Sequence, residues 1–391
     1  MKTRIPYLLF VITTVTSLLI SCKELDRFQQ KDKVFELPKP IPLSLIDRKK
    51  EQQKLTAFFE SNLLKNPGIF SGGILVAKGG NIIFEHYSGF QDFPRKEQPI
   101  TDTSSIHIAS TSKTFTGMAA LMLVQQKKLH LEDTVGKFFS DWPYPGVTIK
   151  DLLNHRSGIP NYLYFMEASN WDPQKMATNQ DVLEVIQKER PAKHAAPNKR
   201  FEYSNTNYVL LASIIEKVTG RSFPTFMHEE IFEPLQMKHS FVFQLKDTAR
   251  ATPSFQPGGS LWGFDYLDLT YGDKNIYSTP RDLLKWDQIL YTDQLISKQL
   301  LDAAFSPYSF ERPGTHNYGL GWRLELLPNH KKIIYHFGRW HGNNSAFTRL
   351  TNEKVTIIIL GNKFNRYIYS VAHHSYDLFG IYNQEAIKEE E

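Results

Sequence analysis

Residues 104–128 read SSIHIASTSKTFTGMAALMLVQQKK. Phe115, Met118, Ala119, Met122 and Val124 recur at helical spacing, so Thr111 to Lys128 is expected as a helix with one apolar side. At its start, Ser110-Thr111-Ser112-Lys113 sets a hydroxyl one turn before an amine. Side chains three apart on a helix share a face, so Ser110 and Lys113 can meet. The N-terminal end of a helix also favours developing negative charge. A lysine among Ile108 and Phe115 is partly shielded from water, which favours its uncharged, proton-accepting form. A serine beside such a base is a nucleophile, whereas a serine beside a solvated lysine is only a helix cap. The tetrad alone does not separate the two, because a chain rich in Ser and Lys yields such matches by chance.

The flanking sequence supplies the fold. Leu45 to Leu64 has helical spacing and stops at Asn66-Pro67-Gly68. Gly73–Ala77 and Asn81–Tyr87 are β-rich and joined by Lys78-Gly79-Gly80, the pattern of a hairpin. Further helices are expected at Asp181–Lys188, Asn207–Val218 and Pro280–Tyr291, the last with Ser278-Thr279-Pro280 as its start signal. Strands are expected at Gly319–Glu325, Lys332–Phe337, Ser345–Thr351 and Val355–Leu360, and a closing helix at Tyr367–Phe379. The fold class is therefore α/β (α+β): an antiparallel sheet built from both chain ends, flanked by helices, with a large inserted helical domain. The boundaries are 44–103 plus 311–385 for the sheet and helix domain, 104–310 for the helical domain, and 386–391 for an acidic tail.

The N-terminus has its own signal. Lys2 and Arg4 precede the apolar run Tyr7–Ile20, which ends at Ser21-Cys22. That is the layout of a signal peptide over residues 1–21, too short to span a membrane comfortably. Leu19-Ile20-Ser21-Cys22 resembles a bacterial lipobox, so Cys22 is the expected lipidation site and 22–43, with Pro38, Pro40 and Pro42, the expected tether. The expectation is an exported bacterial lipoprotein, held on a membrane in the periplasm or at the cell surface. Cys22 is the only cysteine, which removes thiolate metal sites, cysteine nucleophiles and disulfides from the folded part. A net charge of +5 without a long basic block argues against nucleic acid. His373-His374 lacks ligand spacing, and neither a metal nor a cofactor is expected. Oligomeric state is not legible.

Two later segments carry chemistry-bearing residues. Tyr203-Ser204-Asn205 offers a phenol and an amide just before a helix, or an ordinary polar loop with Asn205 as cap. His336-Phe337-Gly338-Arg339 closes a strand, where a lone histidine is more often structural than catalytic, and Gly338 permits close approach of a ligand backbone. In order, the three segments resemble the motifs of the penicillin-recognising serine enzymes, S-x-x-K, S-D-N and K-T-G. With tyrosine opening the second motif, the likeness is to the class C β-lactamase branch, with its D-Ala-D-Ala peptidases, D-aminopeptidases and family VIII-type esterases. Asp151-Leu152-Leu153-Asn154-His155-Arg156-Ser157-Gly158-Ile159-Pro160 and Tyr277-Ser278-Thr279-Pro280-Arg281-Asp282-Leu283 are similar to connecting stretches of that family, and the resemblance spans about residues 45–380.

The resemblance implies a serine hydrolase that forms an acyl-enzyme on Ser110 and acts on a small-molecule or peptide substrate: an ester, an amide or a D-amino-acid peptide. Lys113 is the implied proton partner and Tyr203 the implied proton carrier to the leaving group, the general base being either or the pair together, and Asn205 is the residue that binds the substrate amide or orients Lys113. The backbone N–H groups of Ser110 and Arg339 are the implied oxyanion hole. His336, Gly338 and Arg339 are the implied substrate-binding residues, with His336 partly charged at neutral pH. Phe337 replaces the hydroxyl residue of the third motif, which argues against efficient β-lactamase activity. Arg339 either binds a substrate carboxylate in its place or points to solvent, two readings the sequence leaves open. The alternative is a non-catalytic penicillin-binding or sensor protein that retains the fold.

Overall fold

A computed structural model describes residues 34–382 except 67, 93 and 94. The expected signal peptide, Cys22 and the acidic tail lie outside these residues. Helix α1 (Leu45–Phe59) starts at Ser44, whose hydroxyl accepts the Asp47 N–H at 3.0 Å, and runs on through a wider turn at Glu60–Leu64. The hairpin follows as β1 (Gly72–Lys78) and β2 (Asn81–Ser88). The C-terminal strands are β3 (His316–Tyr318), β4 (Arg323–Leu326), β5 (Lys332–Trp340), β6 (Asn343–Leu350) and β7 (Val355–Gly361). Among the described residues these seven form one antiparallel sheet, in the order β2-β1-β7-β6-β5-β4-β3. The N-terminal hairpin therefore joins the C-terminal strands in one sheet, where Gly72 pairs with Gly361 and Lys78 with Val355.

Strand alternation decides which layer each residue enters. Ile357 and Ile359 join Leu55 and Phe59 of α1 and Ile368, Val371 and Ala372 of the closing helix α5 (Tyr367–Tyr376). Ile358 and Leu360 point the other way, into a larger core with Phe115, Met118, Leu121 and Trp286. That core surrounds α2 (Ser112–Gln125), which is buried at every position from Ser112 to Leu123. The expected helix is present, but not one-sided. It lies between the sheet and α3 (Thr206–Thr219), and the Gly117 Cα is packed so closely that a Cβ there would meet Leu320 O at 3.1 Å.

Three further differences from the sequence reading have local causes. Gly319–Glu325 is not one strand but a hairpin, turned by the Gly319 N–H to Trp322 O bond (2.8 Å) and by Gly321 at φ +93°. The insertion is not purely helical: Ile106–His107, Ile276–Ser278 and Phe241–Val242 form a small sheet. The described part of the expected tether, 34–43, lies on the fold. Phe35 is buried in the main core and donates its N–H to Pro234 O at 3.0 Å, and Ile41 N–H bonds Gly79 O at 2.8 Å. An aromatic within reach of an apolar core contributes more by burial than by solvation, whatever the prolines around it.

Helix α4 (Pro280–Ile289), capped by Thr279 on Asp282 N–H, packs on β1 and β7 and so belongs to the sheet layer although it falls within 104–310. It is tied there by a fully buried ion pair, Arg349 Nε to Asp287 Oδ1 at 2.6 Å, with Thr356 Oγ1 donating to Oδ2 at 2.6 Å. Removing one partner of a buried pair leaves the other charge uncompensated, so Asp287→Ala is expected to cost about 3–5 kcal/mol in urea unfolding. A loss under about 1 kcal/mol contradicts this reading.

Candidate active site

The nucleophile turn is assembled by residues on both sides of Ser110. The Ile108 N–H bonds Ile276 O at 2.9 Å, and Ala109 then enters the left-handed region at φ +47°. A non-glycine residue there is strained, and its backbone must be held. His107 Nδ1 holds it by accepting the Ala109 N–H at 3.0 Å. With Nδ1 an acceptor, Nε2 carries the ring proton and donates to Asn275 Oδ1 at 2.9 Å. Ser110 follows in a single 3-10 turn, Ala109–Thr111, ahead of α2.

Burial lowers the His107 pKa from 6.5 to about 4. A histidine with a depressed folded-state pKa binds its proton more readily when unfolded. Its contribution to stability is therefore full above about 6.5 and lost as pH falls towards about 4. Urea unfolding is expected to show stability falling by roughly 2 kcal/mol between pH 7 and 5 from this residue, a slope that His107→Asn reduces. An unchanged slope in that variant contradicts the assignment.

Sheet and turn meet at Gly338. A Cβ at this position would lie 2.6 Å from Ile108 O and 2.7 Å from Ser110 N, so only glycine lets β5 come this close to the nucleophile backbone. Thr111 Oγ1 donates to His336 O at 3.1 Å and Ser345 Oγ to Ile108 O at 2.6 Å, fixing the approach. Strand β4 pairs only with Lys332–Tyr335. From His336 onward that edge of β5 has no strand beside it among the described residues, and the Ser110 turn packs against it.

Lys113 is fully buried. Its Nζ lies 2.7 Å from Asn205 Oδ1, 2.8 Å from the backbone oxygen of Asp273 and 3.2 Å from Ser110 Oγ. The first two atoms can only accept. The third contact of the amine is the Ser110 hydroxyl, so the geometry brings this amine within reach of the nucleophile's proton.

Asn205 precedes α3 but makes no capping bond with its side chain, which is given to Lys113 instead. The Tyr203 ring centroid lies 5.0 Å from Lys113 Nζ. His155 backs that ring with its own at 4.2 Å, and its Nδ1 accepts the Ser204 N–H at 3.2 Å. Burial first, then the charge of Lys113, hold His155 well below its ordinary pKa, so it is a neutral brace. It falls within the 151–160 stretch quoted above, yet its support of Tyr203 was not legible from motif spacing.

The third segment departs from expectation. His336 is wholly buried, with Nε2 accepting from Tyr318 Oη at 3.1 Å and Nδ1 donating to Phe337 O at 2.8 Å. Burial, then the Arg323 and Lys113 charges, keep it far below its ordinary pKa, so it is neutral rather than partly charged. Its ring supports Tyr318, which stands 6.3 Å from Tyr203. Phe337 points to the opposite sheet face, where it stacks on Tyr369 at 5.2 Å and meets His373 edge-on. A hydroxyl at this position would not face Ser110, so its loss says nothing about β-lactams. Arg339 is exposed.

Asp265, Asp268 and His341 bring donor atoms within 4.8 Å of one another. Asp268 already accepts from Trp340 Nε1 at 2.5 Å and bonds His341 Nε2 at 2.9 Å, so its carboxylate is committed to protein donors, with the buried Lys274 amine behind Trp340.

With this geometry in view, the likeness to known proteins is specific. The Beta-lactamase family profile matches residues 57–372. Penicillin-binding protein 4* of Bacillus subtilis is 34% identical over 335 residues, 81% of this chain and 73% of that protein. The penicillin-binding protein of Bacillus halodurans superposes with a TM-score of 0.72 at 23% identity, covering 83% of this chain and 99% of that one. D-amino acid amidase of Ochrobactrum anthropi, solved with D-phenylalanine, gives 0.66 at 23% identity, covering 88% and 100%.

Proposed function

Because the chain belongs to the beta-lactamase family of serine hydrolases, we propose that it cleaves an ester, an amide or a D-amino-acid peptide through an acyl-enzyme on Ser110. The observation that carries this reading is the Lys113 amine, whose two carbonyl partners leave its third position on Ser110 Oγ. Lys113 takes the Ser110 proton as Oγ attacks the substrate carbonyl. The developing oxyanion is received by the backbone N–H groups of Ser110 and Arg339, donors of a kind that contribute on the order of 3 kcal/mol. Tyr203, beside Lys113, carries the proton to the leaving group as the ester or amide bond breaks. Water then enters by the reverse proton path, adds to the acyl carbonyl and frees Ser110.

Substrate preference rests on His336. A neutral imidazole with both nitrogens engaged offers no charge to a substrate carboxylate, which disfavours efficient β-lactam turnover. Strand alternation puts the Arg339 side chain on the Phe337 face, where its charge neighbours Tyr369, so it does not supply a carboxylate contact at Ser110. A panel of p-nitrophenyl esters, D-amino-acid amides and nitrocefin tests the proposal. Turnover of the esters or amides well above nitrocefin is expected. No turnover of any member overturns the hydrolase reading, and fast nitrocefin hydrolysis overturns the preference alone. Export and lipidation at Cys22 belong to the same proposal, supported by Lys2, Arg4 and the Tyr7–Cys22 run. Mass spectrometry of the native N-terminus decides it, since an unmodified Cys22 removes the anchor.

A further inference from the structure

The acceptor that completes the Lys113 geometry is a backbone oxygen, and the segment carrying it is pinned residue by residue. Thr116 Oγ1 donates to Gly272 O at 2.7 Å, and Gly272, at φ +98°, lies so near α3 that a Cβ would meet Tyr208 O at 2.3 Å. Lys113 takes Asp273 O, His107 takes the Asn275 side chain, and Ser112 Oγ accepts the Ile276 N–H at 3.2 Å. Gly272, Asp273, Asn275 and Ile276 are thus each bonded to the chain around the nucleophile.

The remaining residue, Lys274, takes part in none of these bonds. It is buried, with Nζ 2.8 Å from Tyr162 Oη and 2.9 Å from Leu267 O, and it also bonds Thr270 Oγ1. Tyr162 Oη in turn donates to Asp273 Oδ2 at 3.0 Å. The other Asp273 carboxylate oxygen is buried with no donor among the described residues, so Tyr162 is what holds this side chain. The charged and titratable groups around Lys274 are Asp273, Asp268 and Asp265, which favour its charge, and Lys113, which opposes it. Tyr162 touches it directly, and His107 and His341 lie further along the same cluster. The Trp340 ring covers it at 4.6 Å.

We infer that Lys274 is a positioning residue for the catalytic amine, holding through Tyr162 the Asp273 peptide whose oxygen aims Lys113 at Ser110. A buried amine is an expensive way to fill space: burial opposes its charge, and methionine would pack the same volume without that cost. Its position next to Asp273, with a hydroxyl bridging its amine to the Asp273 carboxylate, gives the expense a function. The inference rests on the hydrolase reading, because it assigns Lys274 a part in making Ser110 reactive.

Stopped-flow acylation by p-nitrophenyl acetate tests it in the full folded chain. Lys274→Met is expected to lower the acylation rate constant by about 10- to 100-fold with the apparent dissociation constant within about twofold. The acid limb of its pH profile is expected to move upward, because a positive charge that opposes proton retention in the site is gone. Tyr162→Phe, which deletes only the bridging hydroxyl, is expected to lower the rate constant by about tenfold, again without weakening binding. Should Lys274→Met fail to fold, Tyr162→Phe decides. A folded variant with a lower Tm but the wild-type acylation constant and acid limb makes Lys274 structural and overturns the inference, leaving the hydrolase reading intact. Wild-type protein that is not acylated at all overturns the hydrolase reading, and this inference with it.

Discussion

Lys113→Met is expected to lower kcat/KM for a p-nitrophenyl ester by about 1,000-fold while the chain still folds. The side chain is fully buried, so a methionine of similar length fills its space. Two carbonyl oxygens, Asn205 Oδ1 and Asp273 O, lose their donor, at about 1–3 kcal/mol each in the folded state. A general base contributes about 100- to 10,000-fold, and here the same group also fixes the rotamer space of Ser110 Oγ. The loss is expected in the acylation step, with substrate affinity little changed. A variant that folds, binds and acylates within tenfold of wild type removes Lys113 from the role of proton acceptor and passes it to Tyr203.

Gly338→Ala is expected to lower the acylation rate by about 100-fold, a large effect for one methyl group. The added Cβ meets two backbone atoms, Ile108 O at 2.6 Å and Ser110 N at 2.7 Å, neither of which can rotate aside. The strand and the nucleophile turn must separate, and a displacement approaching 1 Å in such a site costs about 100-fold. The oxyanion donors proposed here, Ser110 N–H and Arg339 N–H, sit on the two sides of that contact, so both move relative to the substrate carbonyl. Binding and Tm are expected to change less than rate. Full activity in Gly338→Ala contradicts the close approach of β5 to the turn.

The sheet was legible because strand alternation and turn residues are local. Ile357 to Leu360 alternate between two cores, and Gly79-Gly80 turns the hairpin, just as their order suggests. Helix α2 was legible in extent but not in burial, because its polar residues, Ser112, Thr114 and Thr116, are satisfied by partners remote in sequence or by the preceding turn. The Ser110, Lys113 and Asn205 grouping was legible from motif order. The third partner of Lys113 was not, since a backbone oxygen 160 residues away leaves no side-chain signature. His336 and Phe337 were misread for one reason: a motif gives residue types but not faces, and only the neighbours Tyr318 and Tyr369 reveal which side of β5 each occupies.

The central claim is that Ser110 is the acylated nucleophile. Intact-mass and peptide mass spectrometry after treatment with a fluorophosphonate tests it most directly, because covalent capture requires an activated hydroxyl but no knowledge of the natural substrate. One adduct per chain is expected, located on Ser110, absent in Ser110→Ala and formed far more slowly in Lys113→Met. An unmodified wild-type chain, or an adduct that persists on another residue in Ser110→Ala, would contradict it.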